Sequence, residues 1–340
     1  MANIFNLTKE DFASDQMVKW CPGCGDHAIL AALRKVLPQA GKKKEDILVV
    51  SGIGCSSRAP YYVNTYGMHC IHGRALPIAS GAKIANPNLS VWVTTGDGDS
   101  LAIGGNHFIH CLRRNMDIKV ILFNNQIYGL TKGQYSPTSP FGKVTKTSPM
   151  GTIEDPFNPG ELAIGAGGTF FARSFDISMP IMDEILLAAA EHTGTALVEV
   201  LQNCMIYNNG AHSYYTDKET RADRIIHVQD GKPMLFGKEM NKGIRLNKET
   251  NQLEVVTLGE NGVTIDDILV HNPHQTNRGL QLMIAQMKGP DFPMAVGVIR
   301  DISKPCYSEL MLQQIETAKA QTKFKCVDDL LNSGNTWDVE

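Results

Sequence analysis

Two short runs rich in carboxylate and amide side chains carry the groups best suited to bind a metal ion. Residues 94–100 read TTGDGDS after an apolar run, and residues 123–129 read FNNQIYG at the end of the next one. Carboxyl ends of neighbouring parallel strands lie side by side, so Asp97 and Asn125 are expected to converge on one ligand. Mg2+ prefers a few protein oxygens completed by phosphate oxygens. The pattern therefore predicts a magnesium site, although Gly-Asp-Gly and Asn-Asn are also common turn sequences.

The glycines of the first run would let a diphosphate approach the backbone closely. Gly96 and Gly98 permit tight turns without a Cβ in the way. A helix expected to open near Ser100 would point amide N–H groups at an anion. These features together favour a diphosphate as the partner of the predicted magnesium ion.

Four of the eight cysteines are spaced like ligands of a metal centre. Cys21 and Cys24 form a C-x-x-C motif next to glycines, while Cys55 and Cys204 each follow a strand-like run. All four are expected at loop ends on one side of a sheet, where they would suit either Zn2+ or a 4Fe-4S cluster. Spacing alone does not separate these metals, and packed thiols at Cys55 and Cys204 are the alternative. A disulfide framework is disfavoured because no export signal precedes them.

The elements that must position these residues alternate between strands and helices. Apolar, largely β-branched or aromatic runs predict strands at residues 47–50, 91–94, 118–123, 169–172 and 196–200. Helical patterns lie at about 25–37, 73–85, 101–114 and 179–192. This alternation predicts an α/β fold with a doubly wound, mostly parallel sheet. The irregular segment 128–157, rich in Gly, Pro, Ser and Thr, is expected to be a functional loop.

The pattern changes after about residue 226, which divides the chain into two predicted parts. Residues 1–226 form the predicted cofactor- and metal-binding domain. Residues 227–340 form a C-terminal extension, with weak strand patterns at 253–256 and 295–299 and a helical one near 279–287. The sequence predicts no fold for this extension.

Composition excludes several classes of protein. The net charge is −3, and the sequence has no stretch of basic residues beside aromatic ones, so nucleic-acid binding is not expected. No run of eighteen apolar residues and no export signal is seen, which predicts a cytoplasmic protein that does not span a membrane.

The motifs CPGCG, GIGC, GDGD and NNQIYGLTKGQ, in this order, resemble the β subunits of 2-oxoacid:ferredoxin oxidoreductases over residues 17–210. The resemblance implies a thiamine-diphosphate-binding fold of the diphosphate-binding type. It implies Mg2+ ligation by the side chains of Asp97 and Asn125 and by the backbone carbonyl of Ile127. It also favours a 4Fe-4S cluster over zinc, with Cys21, Cys24, Cys55 and Cys204 as ligands.

The same resemblance implies roles around the cofactor and the substrate. Arg58, three residues after a cluster cysteine, would contact the substrate carboxylate, for which the planar guanidinium fork is well suited. The HGR segment that contains His72 would lie near the cofactor. The implied cofactor-binding residues are Gly54, His72, Gly96, Asp97, Gly98, Asp99, Asn125, Tyr128, Gly129, Leu130 and Thr131.

The implied reaction is the coenzyme-A-dependent oxidative decarboxylation of a 2-oxoacid, with electrons passed through the cluster to ferredoxin. The sequence contains one phosphate-type domain, so an α subunit would supply the pyrimidine-binding domain and most of the coenzyme A and substrate sites, and two αβ units would pair. The segments around Cys55 and Cys204 look most similar to 2-oxoglutarate members, with pyruvate and branched-chain 2-oxoacids as close alternatives. Two functions of other kinds remain as alternative hypotheses, a thiamine-dependent carboligase and a zinc-binding scaffold.

Overall fold

A large eight-stranded sheet organises the chain in the computed structural model, which describes residues 5–339. A second sheet of three strands lies in the C-terminal part. The strands are β1 (Ile47–Ser51), β2 (Tyr66–His69), β3 (Ser90–Gly96), β4 (Lys119–Asn124), β5 (Phe170–Phe175), β6 (Ala196–Leu201), β7 (Ile225–Val228), β8 (Leu235–Phe236), β9 (Lys242–Asn247), β10 (Gln252–Thr257) and β11 (Met294–Asp301).

Helices connect most of these strands, and their sequences carry recognisable boundary signals. Asn158, for example, caps the helix that begins at Pro159 by accepting hydrogen bonds from two backbone amides. The helices are α1 (Asp26–Val36), α2 (Ala59–Tyr62), α3 (Ala75–Ala85), α4 (Asp97–Leu101), α5 (Gly105–Arg114), α6 (Pro159–Gly165), α7 (Met179–Glu191), α8 (Ser213–Thr216), α9 (Arg221–Arg224), α10 (Gly279–Gln286), α11 (Tyr307–Gln321) and α12 (Val327–Leu331).

The large sheet has the strand order β2-β1-β3-β4-β6-β5-β11-β7. Its pairings are parallel except for that of β11 with β5, which is antiparallel. Strands β3 and β4 are direct neighbours, with Gly96 opposite Phe123. The predicted doubly wound, mostly parallel sheet is therefore confirmed, and β3 and β4 end side by side.

Helices cover both faces of this sheet. Alternate residues along the strands point to opposite faces, so Val93 and Leu122 pack on one side and Trp92 and Ile121 on the other. Helices α3, α5, α6 and α10 contribute to the first core, and α1 and α7 contribute to the second. Burial on both faces explains why the central strands read as continuous apolar runs.

The structure differs from the sequence prediction at the helix expected over residues 101–114. Two helices stand there, α4 and α5, and they are separated at Ala102, whose backbone leaves the helical region. Gly104 then lies so close to Gly73 that a Cβ on Gly73 would be 2.5 Å from the Gly104 nitrogen. Because α4 begins at Asp97 rather than near Ser100, the motif itself forms the first helical turn.

The C-terminal part contributes directly to the large sheet. Strand β11 lies between β5 and β7, and the predicted boundary at residue 227 falls inside β7. The weak patterns at 253–256 and 295–299 correspond to β10 and β11, and the pattern near 279–287 corresponds to α10. The division of the chain into two domains stays a prediction. Among residues 5–339, no helix combines the length and apolar character needed to cross a membrane.

Candidate functional site

A cavity of about 410 Å³ opens at the carboxyl ends of β3 and β4. Its wall is formed by the loops that follow β1, β3 and β4, together with the segment before α3. The predicted cofactor residues all line it, and Ile127 lines it with them. They are Gly54, His72, Gly96, Asp97, Gly98, Asp99, Asn125, Tyr128, Gly129, Leu130 and Thr131.

Asp97 is a buried carboxylate at the first turn of α4, with 2% of its surface exposed. Its Oδ2 accepts hydrogen bonds from Ser136 Oγ and Thr138 Oγ1, each at 2.5 Å. Burial raises the pKa of Asp97 to about 6, although the two hydroxyls act in the opposite direction. A carboxylate held this way would gain from a cation in the cavity, since the cation would offset the cost of burying its charge.

The turn after β4 brings an amide side chain and a backbone carbonyl to the same place. Gln126 has a positive φ of 57°, a left-handed conformation that is uncommon for residues other than glycine. Ser139 Oγ donates to the Gln126 carbonyl at 2.6 Å, and Asn125 Oδ1 accepts from the Ile127 amide at 3.1 Å. These contacts hold the turn, so Asn125 and Ile127 stand beside Asp97 on the cavity wall.

Asp99 holds together the loop after β1, the segment before α3 and the end of β3. Its Oδ1 accepts from the backbone amides of Ile53 at 3.1 Å and Gly73 at 2.7 Å, and its Oδ2 accepts from Thr95 Oγ1 at 2.8 Å. A Cβ on Gly52 would lie 1.8 Å from Asp99 Oδ2, so glycine is required there. The carboxylate therefore fixes the positions of the loops; the predicted contact with a cofactor stays a prediction.

The LTKGQ segment closes one side of the cavity as a tight turn. Tyr128 and Gln134 are joined by a backbone bridge, and the Tyr128 amide donates to the Gln134 carbonyl at 2.8 Å. Thr131 Oγ1 donates to Gln134 Oε1 at 2.5 Å. Tyr128 reaches back across the cavity, where its hydroxyl donates to the Gly98 carbonyl at 3.1 Å.

The four predicted cluster cysteines line a second cavity of about 210 Å³. They come from the segments before α1, after β1 and after β6, and a Cβ on Gly129 would lie 3.4 Å from Cys204 Sγ and 3.8 Å from Cys55 Sγ. Burial raises the pKa of the Cys55 thiol to about 12 and raises that of Cys24 further. The thiols would therefore ionise readily only when a strong positive charge joins them.

The two cavities share a wall. Asp26, Cys55, Asn125, Gly129 and Leu130 line both. The loop that carries Asn125 on the cofactor side thus faces the thiols on its other side.

Asp26 is a residue of this wall that the sequence analysis did not single out. It is 1% exposed, and neither carboxylate oxygen meets a hydrogen-bond partner among the described residues. Burial raises its pKa to about 7, while a contact with the Cys24 thiol lowers it. An acidic residue in the first turn of a helix is common and does not by itself indicate a functional site. The sequence feature that could have identified Asp26 is its position directly after the C-x-x-C-G motif.

Arg58 lines the cysteine cavity, together with Lys19 and Lys132. It lies at the end of a short 3-10 helix, Ser56–Arg58, that follows Cys55 directly. Three basic side chains beside the thiols make this cavity suited to an anion. The predicted role of Arg58 toward a substrate carboxylate is compatible with this position and stays a prediction.

The remaining cysteines, including the buried Cys70 in the segment leading to the HGR sequence, line neither of these cavities. Cys111 and Cys306 are buried and Cys326 is exposed. Within residues 5–339 there is no group of three or more His, Cys, Asp or Glu side chains already arranged around a single metal ion.

Comparison with known proteins places this geometry in a family. Residues 52–200 match the family described as "Thiamine pyrophosphate enzyme, C-terminal TPP binding domain". The chain is 47% identical over 334 residues to the 2-oxoglutarate oxidoreductase subunit KorB of Mycobacterium tuberculosis, covering 97% of this chain and 88% of the relative. It is 43% identical over 247 residues to the 2-oxoacid:ferredoxin oxidoreductase 2, subunit beta, of Aeropyrum pernix, covering 69% and 80%.

A solved structure shares the fold across its full length. It is the 2-oxoglutarate:ferredoxin oxidoreductase from Magnetococcus marinus with 2-oxoglutarate, coenzyme A and succinyl-CoA bound, with a TM-score of 0.78, 28% identity and 97% coverage of both chains. The predicted thiamine-diphosphate-binding fold and the predicted family are both confirmed. The chain belongs to the β-subunit family of the 2-oxoacid:ferredoxin oxidoreductases.

Proposed function

We propose that this chain is the β subunit of a 2-oxoglutarate:ferredoxin oxidoreductase, which converts 2-oxoglutarate and coenzyme A to succinyl-CoA and CO2. The observation that carries the proposal is the shared wall between the two cavities, one lined by the cofactor residues and the other by four cysteines. An oxidoreductase that passes electrons from a cofactor to an iron-sulfur cluster needs the two sites to be adjacent. The relatives from Mycobacterium tuberculosis and Magnetococcus marinus support 2-oxoglutarate as the substrate.

The residues of the larger cavity fit thiamine diphosphate with Mg2+. Asp97, Asn125 and the Ile127 carbonyl would hold the metal ion, since each can present an oxygen ligand. A Cβ on Gly54 would meet no described heavy atom within 4 Å, so the backbone leaves room beside the cavity. Bound there, thiamine diphosphate would supply the electron sink that decarboxylation of a 2-oxoacid requires.

The smaller cavity is lined by four cysteines, which suit either one zinc ion or a 4Fe-4S cluster. Zinc has no redox chemistry, so it could not take electrons from the cofactor. The proposed reaction therefore requires the cluster. Cys21, Cys24, Cys55 and Cys204 would hold a 4Fe-4S cluster, whose positive iron ions would stabilise the thiolate form against the effect of burial.

The chain's own residues would bind and shield the reactants. Arg58, with Lys19 and Lys132 nearby, would hold a substrate carboxylate through charged hydrogen bonds. Asp26 would accept hydrogen bonds from a ligand at the wall between the cavities, because its buried carboxylate lines both of them. Tyr128 and the LTKGQ turn would limit access of water from one side.

A partner α subunit would complete the active site. The matched thiamine pyrophosphate domain covers residues 52–200, and the relatives are themselves named as subunits. The α subunit would supply the pyrimidine-binding domain and most of the coenzyme A site, two αβ units would pair, and ferredoxin would take the electrons. A cytoplasmic location completes the proposal.

The test is an anaerobic assay of the chain purified together with its partner subunit. Coenzyme-A-dependent reduction of a viologen dye would be measured with 2-oxoglutarate, pyruvate and 2-oxoisovalerate. Turnover is expected to be strongest with 2-oxoglutarate. Faster turnover of pyruvate or 2-oxoisovalerate would identify that acid as the substrate instead. The absence of turnover by a complex that contains iron and thiamine diphosphate would contradict the proposed reaction.

A further inference from the structure

Two hydroxyl groups of the loop after β4 hold the carboxylate of Asp97. Ser136 Oγ and Thr138 Oγ1 each lie 2.5 Å from the same oxygen, Asp97 Oδ2. The three residues are each 2% exposed, so water does not compete freely for these contacts. Since both hydroxyls approach Oδ2, neither of them occupies Oδ1.

Thr138 also joins Asp97 to a buried ion pair. Its Oγ1 lies 2.9 Å from Asn124 Oδ1, and the amide nitrogen of Asn124 donates to Glu199 Oε1 at 2.7 Å. The other oxygen of Glu199 accepts from Arg173 Nε at 2.7 Å. The side chains of this ion pair are no more than 3% exposed. A continuous buried chain of polar contacts thus runs from the cofactor cavity into the core.

The contacts restrict the orientation of each group along this chain. Arg173 fixes Glu199, and the Glu199 carboxylate accepts from the Asn124 amide nitrogen, which turns the Asn124 oxygen toward Thr138. A hydroxyl carries one hydrogen, so Thr138 donates to either Asn124 or Asp97 at a given moment. Ser136 supplies the second donor to Asp97.

We propose that Ser136 and Thr138 are positioning residues for the metal ion of the cofactor site. They act through Asp97, holding Oδ2 so that Oδ1 is presented to the cation in a fixed direction. This inference rests on the proposed function, because it requires Mg2+ and thiamine diphosphate to bind in the larger cavity. Groups that orient a metal ligand in this way typically change metal affinity 10- to 100-fold when removed.

The experiment uses Thr138→Val and Ser136→Ala in the chain purified with its partner subunit. Valine keeps the shape of threonine and removes the hydroxyl. The Mg2+ concentration for half-maximal retention of thiamine diphosphate would be measured by titration and cofactor quantification, without any assay of turnover. Each variant is expected to raise this concentration by about tenfold or more.

Two controls separate positioning from general destabilisation. Thr138→Ser keeps the hydroxyl and is expected to retain the wild-type Mg2+ requirement. Thr195→Val removes another buried threonine hydroxyl, which donates to the Met116 carbonyl at 2.7 Å. Thr195 lies just before β6, at the end of that strand away from the cofactor cavity. This variant is expected to lower the unfolding temperature without changing the Mg2+ requirement.

The outcomes distinguish this inference from the proposed function. If the wild-type complex binds thiamine diphosphate with Mg2+ and Asp97→Ala abolishes that binding, the proposed cofactor site is supported. Unchanged Mg2+ requirements in Thr138→Val and Ser136→Ala would then overturn the positioning role alone. Equal shifts in Thr138→Ser or Thr195→Val would overturn it as well. A wild-type complex with no Mg2+-dependent cofactor binding would overturn the proposed function and this inference together.

Discussion

The ring of Tyr128 lies directly against the backbone of Gly98. A Cβ built on Gly98 would stand 2.1 Å from Tyr128 Cε1, which is far inside van der Waals contact. The Tyr128 hydroxyl also donates to the Gly98 carbonyl, so one edge of the ring and its hydroxyl both contact Gly98. This contact ties the first turn of α4 to the loop after β4.

Gly98→Ala is therefore expected to displace Tyr128 and the turn that carries Asn125. Overpacking costs about 1–3 kcal/mol, which corresponds to roughly a tenfold loss in affinity for thiamine diphosphate. Calorimetric titration of the cofactor in the presence of Mg2+ measures the effect. Gly81→Ala in α3 is the control, because its Cβ meets no described heavy atom within 4 Å. Cofactor affinity equal to wild type in Gly98→Ala would refute the argument.

Cys204→Ser is expected to remove the iron-sulfur cluster while leaving the sheet folded. Cys204 lines the cavity with the other three cysteines, and serine is a poor substitute for a thiolate ligand. Iron and acid-labile sulfide, about four of each per wild-type chain, should fall sharply. Cys111→Ser is the matched control, since Cys111 is also buried but lies in α5. A Cys204→Ser chain with a full iron content would remove this residue from the ligand set.

Arg58→Ala is expected to weaken substrate binding. A charged hydrogen bond contributes about 1.5–3 kcal/mol, so the KM for 2-oxoglutarate should rise roughly tenfold or more. Steady-state kinetics would show the change, with iron and thiamine diphosphate contents measured in parallel to confirm that both sites remain occupied. An unchanged KM would mean that Arg58 does not contact the substrate.

The central strands and the site residues on their ends could be predicted because the signals are local. The strand beginning at Ile47 follows its apolar run within a residue, and the sequence order of β3 and β4 already placed Asp97 beside Asn125. The contacts of Ser136 and Thr138 with Asp97 could not be predicted. They depend on how an irregular loop returns across the sheet, and no periodic pattern records that path.

The place of β11 could not be predicted for a different reason. Its pairing with β5 joins segments far apart in the sequence, and its register shifts between Val298 and Arg300. Apolar alternation identifies such a segment as a strand but does not say which edge it joins. The sequence therefore predicted no fold for the C-terminal extension, whereas the structure adds β11 and the end of β7 to the large sheet.

Asp117 is expected to make the protein sensitive to acid. Its carboxylate contacts Lys83 Nζ at 2.7 Å and Lys119 Nζ at 2.9 Å. Burial alone would raise its pKa, but the two lysines outweigh burial and lower the pKa to about 2. A lowered folded-state pKa gives stability that is present above the unfolded value of 3.8 and lost as the pH falls through about 2.

The contribution of this pKa shift to the free energy of unfolding is about 2 kcal/mol. Denaturant unfolding of the wild type and Asp117→Asn between pH 5 and pH 2 would measure it. The stability difference between the two proteins should shrink across that interval. A difference that stayed constant over the interval would show that Asp117 does not titrate with this shift.

Two shortened chains are expected to behave in opposite ways. Deleting residues 311–340 should leave the sheet folded. Among the described residues of α11 and α12, the buried one is Ser308, and it lies before the deletion. Deleting residues 227–340 should prevent folding, because it removes β11 and the buried residues Ile284 and Ala285 of α10 from the first core. Far-UV circular dichroism and thermal unfolding distinguish the two results. A cooperative transition in the shorter chain would establish residues 1–226 as an independent domain.

The position of β11 also affects the order of events during synthesis. Strand β5 ends at Phe175, and its antiparallel neighbour begins at Met294, so a ribosome needs on the order of 10 s to deliver that neighbour. During this interval the nascent chain presents an open strand edge, which can pair with other chains. Until α10 has been synthesised, Arg173 of β5 also lacks the Ala285 carbonyl, to which its guanidinium donates a hydrogen bond at 3.2 Å in the folded protein. The edge of β5 therefore stays available to other chains until β11 has left the ribosome and paired with it.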